Sequence, residues 1–224
     1  MTGTIHLGGG GSADDGGRAW RGLLEGKDRL ILWPFALPAR QRRASGEQLA
    51  ASLRRLGSDV AVDTWTDLAD HTADDLRGAH LLFVAGGNTF ELLAHVREHG
   101  FGPAVHAFVA AGGDYVGSSA GALLAGEDIG LATPYDENAV GLTDLTALAL
   151  VPGVEVLPHY VPAQADAALE WAAARGRVVL GIPEGSGVAV RDGVARVVGV
   201  APVGVLGPDG AAVRDPGDSW TLDA

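Results

Sequence analysis

The 224-residue chain contains no cysteine. Disulfides, thiolate zinc sites and cysteine nucleophiles are therefore excluded, and any covalent catalysis must use another side chain. Lysine is nearly absent, with Lys27 set against fifteen arginines, and the formal net charge is −12. A nucleic-acid role needs a clustered basic face to neutralise phosphates, and here the densest basic group is only Arg40, Arg42 and Arg43. No apolar run reaches the ~18 residues of a membrane span. The N-terminal segment lacks a basic region ahead of its apolar residues, so it does not read as a signal peptide. The expectation is a cytoplasmic protein with neither nucleic acid nor membrane as partner.

What is abundant is glycine, 34 residues, and a 47 % apolar fraction that can fill a core. Short apolar runs alternate with helical patterns, the signature of a parallel sheet with helices on its faces. Strands are expected at Thr4 to Leu7, Arg29 to Trp33, Asp59 to Val62, His80 to Ala85, Asp114 to Val116, Val154 to Leu157 and Val178 to Ile182. Helices are expected over Glu47 to Leu56, through Leu92, Leu93 and Val96, over Phe101 to Ala111, over Ala120 to Ala125, and through Ala167, Leu169 and Trp171. Val188 to Val190 and Ala195 to Val198 read as a hairpin turned by Asp192-Gly193. The fold class is thus α/β, a three-layer sandwich with a mostly parallel central sheet. Antiparallel C-terminal strands extend its edge, and one domain covers residues 1–224.

The most informative segment is Tyr115 to Ala122, which contains Gly117-Ser118-Ser119-Ala120-Gly121. A serine on a sharp strand-to-helix turn has its hydroxyl thrust clear of the sheet. The small apolar run that follows suits a helix packed on that sheet, and its N-terminus aims amide donors at a developing oxyanion. A serine needs an adjacent base. Of seven histidines, His159 stands out in Leu157-Pro158-His159-Tyr160, at a strand end, the edge where open α/β sheets place their sites. A loop histidine without chemistry fits the same residues. Glu184, in Ile182-Pro183-Glu184-Gly185, also ends a strand and could orient an imidazole; an ordinary turn fits too, and Asp136 competes for the role. His95 and His99 share one helix, but no acid sits at helical spacing with both, so a solvated face is expected and no metal site. Gly86-Gly87-Asn88-Thr89 lacks the phosphate-loop and dinucleotide patterns and better serves as a source of a second oxyanion donor. Gly8 to Gly11 reads as a tight strand-to-helix turn lining the cleft.

Five blocks in order carry a resemblance to peptidase family S51, the group of aspartyl dipeptidase and cyanophycinase. They are Trp33 to Ala36, Gly86 to Leu93, Tyr115 to Ala122, Pro158 to Tyr160 and Gly181 to Gly185. The resemblance implies a fold like that of class I glutamine amidotransferases, with serine in place of cysteine. It implies Ser119 as nucleophile, His159 as general base, Glu184 as the acid, and the amides of Gly87 and Ala120 as oxyanion donors. An aspartate proposed as the acid in this family aligns with Pro134, with Asp136 two residues on, which favours Glu184. The arginine-containing stretch by which aspartyl dipeptidases recognise a substrate aspartate is replaced by Ala163 to Ala167, and no arginine follows until Arg175. The expected function is therefore a cofactor-free serine hydrolase cleaving small peptides without strict aspartate specificity. A hydrolase of another amide or ester, and a non-catalytic binding domain, are the alternatives. A homodimer is compatible with this reading.

Overall fold

The alternating pattern resolves into two sheets. The computed structural model describes residues 2–11 and 22–222. Its strands are β1 (Ile5–Gly8), β2 (Arg29–Trp33), β3 (Ala61–Thr64), β4 (Leu81–Val84), β5 (Asp114–Ser118), β6 (Val154–Pro158), β7 (Val178–Ile182), β8 (Ser186–Arg191), β9 (Val194–Gly199), β10 (Val203–Gly207), β11 (Gly210–Arg214) and β12 (Ser219–Thr221). Its longer α-helices among the described residues are α1 (Ala39–Arg55), α2 (Thr89–Glu98), α3 (Gly102–Ala110), α4 (Ala120–Ala125) and α5 (Ala165–Arg175).

An 8-stranded sheet runs β12-β9-β8-β1-β5-β4-β2-β3. Pairings from β1 through β3 are parallel, and those from β1 out to β12 are antiparallel. Period-2 alternation sends successive side chains to opposite faces. Leu30, Leu32, Leu81 and Val116 pack with Leu49 and Leu53 of α1 on one face. Ile31, Trp33, Leu82, Val84 and Tyr115 pack with α2, α3 and α4 on the other. This is the layered α/β fold that the sequence predicts. The Asp192-Gly193 turn also forms as read, with both residues at positive φ, 49° and 77°, between β8 and β9.

Two expectations change. Helix α1 begins at Ala39, immediately after Pro38, rather than at Glu47. Its first turns carry exposed Arg40, Gln41 and Arg43, so apolar periodicity cannot register them, whereas Pro fits the entry to a helix. The C-terminal strands do not all extend one edge. β6 and β7 leave the main sheet and pair in parallel, and β10 and β11 join them in a 4-stranded sheet ordered β11-β10-β7-β6. Short apolar strands look alike in sequence whichever sheet they enter, because both sheets bury them in one continuous core.

Candidate active site

Four strand ends converge on one place. Ser119 follows β5, Gly87 lies just past β4, His159 follows β6, and Glu184 sits in the turn after β7. Ser119 has φ 52° and ψ −112°, a left-handed backbone that a non-glycine residue rarely adopts. The surroundings enforce it. A Cβ on Gly117 would lie 2.3 Å from the Gly121 carbonyl oxygen, and one on Gly121 would lie 2.2 Å from that of Val84. Both glycines are thus required by the close approach of α4 to the sheet. Tyr115, fully buried in β5, donates its hydroxyl to the Gly121 carbonyl at 2.6 Å and ties helix to strand. Burial pushes the Tyr115 phenol far above its ordinary range, so it remains a donor.

The Ser119 Oγ lies 2.9 Å from His159 Nε2, and His159 Nδ1 lies 2.7 Å from Glu184 Oε1. A carboxylate only accepts, so Nδ1 carries the proton and donates it to Glu184, leaving the Nε2 lone pair to accept from the serine hydroxyl. Hydroxyl, imidazole and carboxylate in series have the chemistry of an activated nucleophile. His159 too has a left-handed backbone, φ 54°. Asp136 goes elsewhere: its Oδ2 accepts from the Thr89 amide at 2.8 Å and the Thr89 hydroxyl at 2.6 Å. Together with the Asn88 side chain, which accepts from the Glu91 amide, it caps α2.

The two amides named from the sequence flank the serine. Ala120 opens α4, so its N–H belongs to the first turn, whose amides have no intrahelical acceptor. Gly87 has φ 139°, and a Cβ there would meet the Ala36 carbonyl oxygen at 2.2 Å. The neighbouring Asn88 amide bonds that same carbonyl at 2.9 Å. The Trp33 to Ala36 block therefore braces the glycine.

The glycine run after β1 has a larger role than the cleft lining read from the sequence. Three consecutive carbonyls each take one amide from the three converging segments. Gly8 O accepts from Ser119 N at 3.0 Å, Gly9 O from His159 N at 2.9 Å, and Gly10 O from Gly185 N at 3.1 Å. A run of glycines signals only a tight turn, and the long-range pairing exposes its role. Of the helix expected to follow this turn, residues 12–21 lie outside the described residues, and residues 22–24 are helical.

Around Ser119 and His159 opens a cleft of about 500 Å³. Leu123, Leu131, Ala132 and Leu157 supply apolar walls, and Gln164 donates to the Tyr135 hydroxyl at its rim. Among the described residues no lysine or arginine lines it. Arg175 stacks on Trp171, and Arg177 pairs with Glu127 and the buried Glu155. Arg42 spends its guanidinium on the carbonyls of Leu37 and Thr66. A larger cavity of about 750 Å³ opens beside Lys27, Asp114 and His6, but it reaches none of Ser119, His159 and Glu184.

Comparisons with known proteins agree with this architecture. Residues 20–198 match the model of peptidase family S51. Peptidase E of Citrobacter koseri is 33 % identical over 186 residues, 79 % of each chain. An uncharacterized peptidase of Listeria innocua is 38 % identical over 112 residues, which span 49 % of this chain and 53 % of that one. The crystal structure of a peptidase from an acI-B1 Actinobacterium superposes with a TM-score of 0.76 at 18 % identity, over 99 % of this chain and 98 % of that chain. A putative peptidase E protein from Listeria monocytogenes gives 0.70 at 23 % identity, over 90 % of this chain and all of the other. On the family match over most of its length and the Citrobacter relative, the chain belongs to peptidase family S51.

Proposed function

We propose that the protein is a serine peptidase that cleaves small peptides through an acyl-enzyme on Ser119. The observation that carries this reading is the unbroken chain from Ser119 Oγ through His159 to Glu184, at 2.9 and 2.7 Å. In the acylation step Oγ attacks the scissile carbonyl carbon while His159 Nε2 takes its proton. The oxygen, now negative, accepts from the amides of Ala120 and Gly87. Collapse of the tetrahedral species breaks the C–N bond, and His159 returns the proton to the leaving amine. Water then repeats the sequence on the ester and frees Ser119. Glu184 orients the imidazole and stabilises it when protonated, without itself taking the proton.

Substrate preference follows from the cleft walls. A buried substrate carboxylate needs a cationic partner, and arginine's fork is the usual one. With Leu123, Leu131, Ala132 and Leu157 in that place, the cleft suits small neutral or apolar side chains. The Tyr135–Gln164 pair at the rim is placed to meet a polar end of a short substrate. Apolar pockets discriminate by only about 1–3 kcal/mol per methylene, so selectivity is shallow.

The test has two stages. A fluorophosphonate should label the protein at Ser119, located by peptide mass spectrometry; no label, or label on Ser118, sinks the acyl-enzyme mechanism. A dipeptide panel then compares kcat/KM for Ala-Leu, Leu-Leu, Glu-Leu and Asp-Leu. Asp-Leu winning by more than ~100-fold would overturn the shallow specificity and point to an unrecognised cation.

A further inference from the structure

Helix α2 carries His95 and His99 one turn apart, and the sequence offers no acid on that helix to join them. The fold supplies one from elsewhere. Asp67 follows β3, and its Oδ1 lies 3.5 Å from His95 Nε2 and 3.7 Å from His99 Nε2. All three potential ligand atoms fall within 4.8 Å of one another. The expected solvated histidine face is thereby corrected: His95 is largely covered, with its ring 4.5 Å from that of Phe35.

These separations have a chemical meaning. Tetrahedral bonds of about 2.0–2.2 Å to imidazole nitrogen and carboxylate oxygen put neighbouring ligand atoms roughly 3.3–3.6 Å apart. The two Asp–His edges are within a few tenths of an ångström of that. We propose that Asp67, His95 and His99 form a binding site for a divalent transition-metal ion, zinc above all, with water completing the coordination. Imidazole with a carboxylate suits zinc, and no cysteine is needed.

The donors are prepared for the role. His95 Nε2 accepts a hydrogen bond from the Leu68 amide at 3.2 Å. Its proton therefore sits on Nδ1, and the lone pair lies on the atom that faces Asp67. Asp67 Oδ1 accepts from the Ala69 amide at 3.0 Å. That bond also fixes the carboxylate, as outer hydrogen bonds fix metal ligands. An ion entering the site displaces the long Leu68 contact. The side chains of Asp67, His95 and His99 are 49 %, 14 % and 22 % exposed, open enough for an ion and its waters to enter.

The alternative for the same residues is a pair of histidines that bind Asp67 only when protonated. Metal titration separates the two. Chelator-treated protein is titrated with Zn2+ by calorimetry, and with Co2+ by visible absorption, which reports tetrahedral ligation directly. The expected result is one ion per chain at micromolar affinity or tighter. His99→Ala with Asp67→Asn should weaken binding roughly 100-fold, while His80→Ala leaves it unchanged. A variant-free readout accompanies it. Zn2+ at about 100 times its dissociation constant should raise the wild-type Tm by roughly 5 °C or more, and chelator should reverse the rise. Zinc affinity in wild type no better than in the His99/Asp67 variant, or a Tm indifferent to zinc, overturns the site. Neither result bears on Ser119, because no proposed ligand lines its cleft.

Discussion

The two sides of the proposed catalytic chain sit in opposite surroundings. Ser119 stands on an elbow with almost everything around it buried. All six residues of α4 are buried, as are Asp114 to Gly117 of β5. His159 and Glu184 are half open to solvent, with side chains 48 % and 63 % exposed. They come from loops that follow strands of the smaller sheet; the His159 amide bonds to Gly9, and the Glu184 turn is tied through the Gly185 amide to Gly10. All three segments bond to the glycine run, so dense packing is what sets Ser119 apart from His159 and Glu184. Substitutions that disturb the packing beneath Ser119 should therefore mix stability with rate, whereas loss of the Ser119 hydroxyl alone, or of a side chain on the histidine side, should change rate in a protein that stays folded.

The sharpest test of that contrast is Ser119→Ala. It removes one buried-side hydroxyl but no packing, so it should cost on the order of 10³-fold or more in kcat with little change in Tm. Retained activity in this variant would break the comparison at its root.

Next in size is an effect of pH on the buried side. His6, in β1 beside the glycine turn, is held down to about 4 from its ordinary 6.5, chiefly by burial, with Lys27 assisting and Asp114 opposing. The unfolded chain takes up this proton below about 6.5, and the folded chain refuses it until about 4. Stability from this group is thus complete above 6.5 and is lost as pH falls towards 4. The span corresponds to on the order of 3 kcal/mol. Urea unfolding of wild type and His6→Gln at pH 7 and pH 4.5 should show wild type losing more of its stability on acidification. Equal losses would remove His6 as the cause.

The exposed side is probed by its two acids. Glu184→Gln should lower kcat on the order of 10²-fold while Tm barely moves, because the altered side chain is mostly solvated. Asp136→Asn should do the reverse. Its carboxylate caps α2 through Thr89, so the loss is about 1 kcal/mol of stability with kcat nearly intact. The opposite ranking would hand the orienting role to Asp136.

The same contrast explains what the sequence could reveal. The strand-turn-helix at Ser119 was legible because steric demand is written locally: Gly117 and Gly121 are needed at the very positions where α4 meets the sheet. The apolar runs of β2, β4 and β5 are legible because burial on both faces leaves continuous hydrophobic stretches, whereas the half-exposed edge strand β3 lies at Ala61–Thr64, two residues on from the expected Asp59 to Val62. The partition of β6, β7, β10 and β11 into a second sheet was not, because partner choice is a long-range property. Nor was the role of Gly8, Gly9 and Gly10, whose carbonyls meet segments more than a hundred residues away. The surroundings of His95 are hidden from the sequence for a related reason. Its neighbours Asp67 and Phe35 lie off the helix, and helical spacing shows only residues on it.

The smallest predicted effect separates packing from chemistry within the serine side itself. Tyr115 supplies a buried side-chain tie beneath the elbow, its hydroxyl reaching the Gly121 carbonyl. Tyr115→Phe keeps the ring, and with it nearly all of the packed volume, but withdraws the donor. Loss of one buried hydrogen bond costs about 1 kcal/mol, with the carbonyl left short of a partner. For a chain of this size that is a fall in Tm of roughly 2–4 °C. Because the tie spans β5 and the helix that begins at Ala120, a small loss of kcat should accompany the loss of stability, with KM for a neutral dipeptide unchanged. If the elbow is set by glycine packing alone, kcat will not move at all, and Tyr115 is then a stabilising residue only. A large fall in kcat, comparable to that of Glu184→Gln, would show that the buried side is held by hydrogen bonds after all.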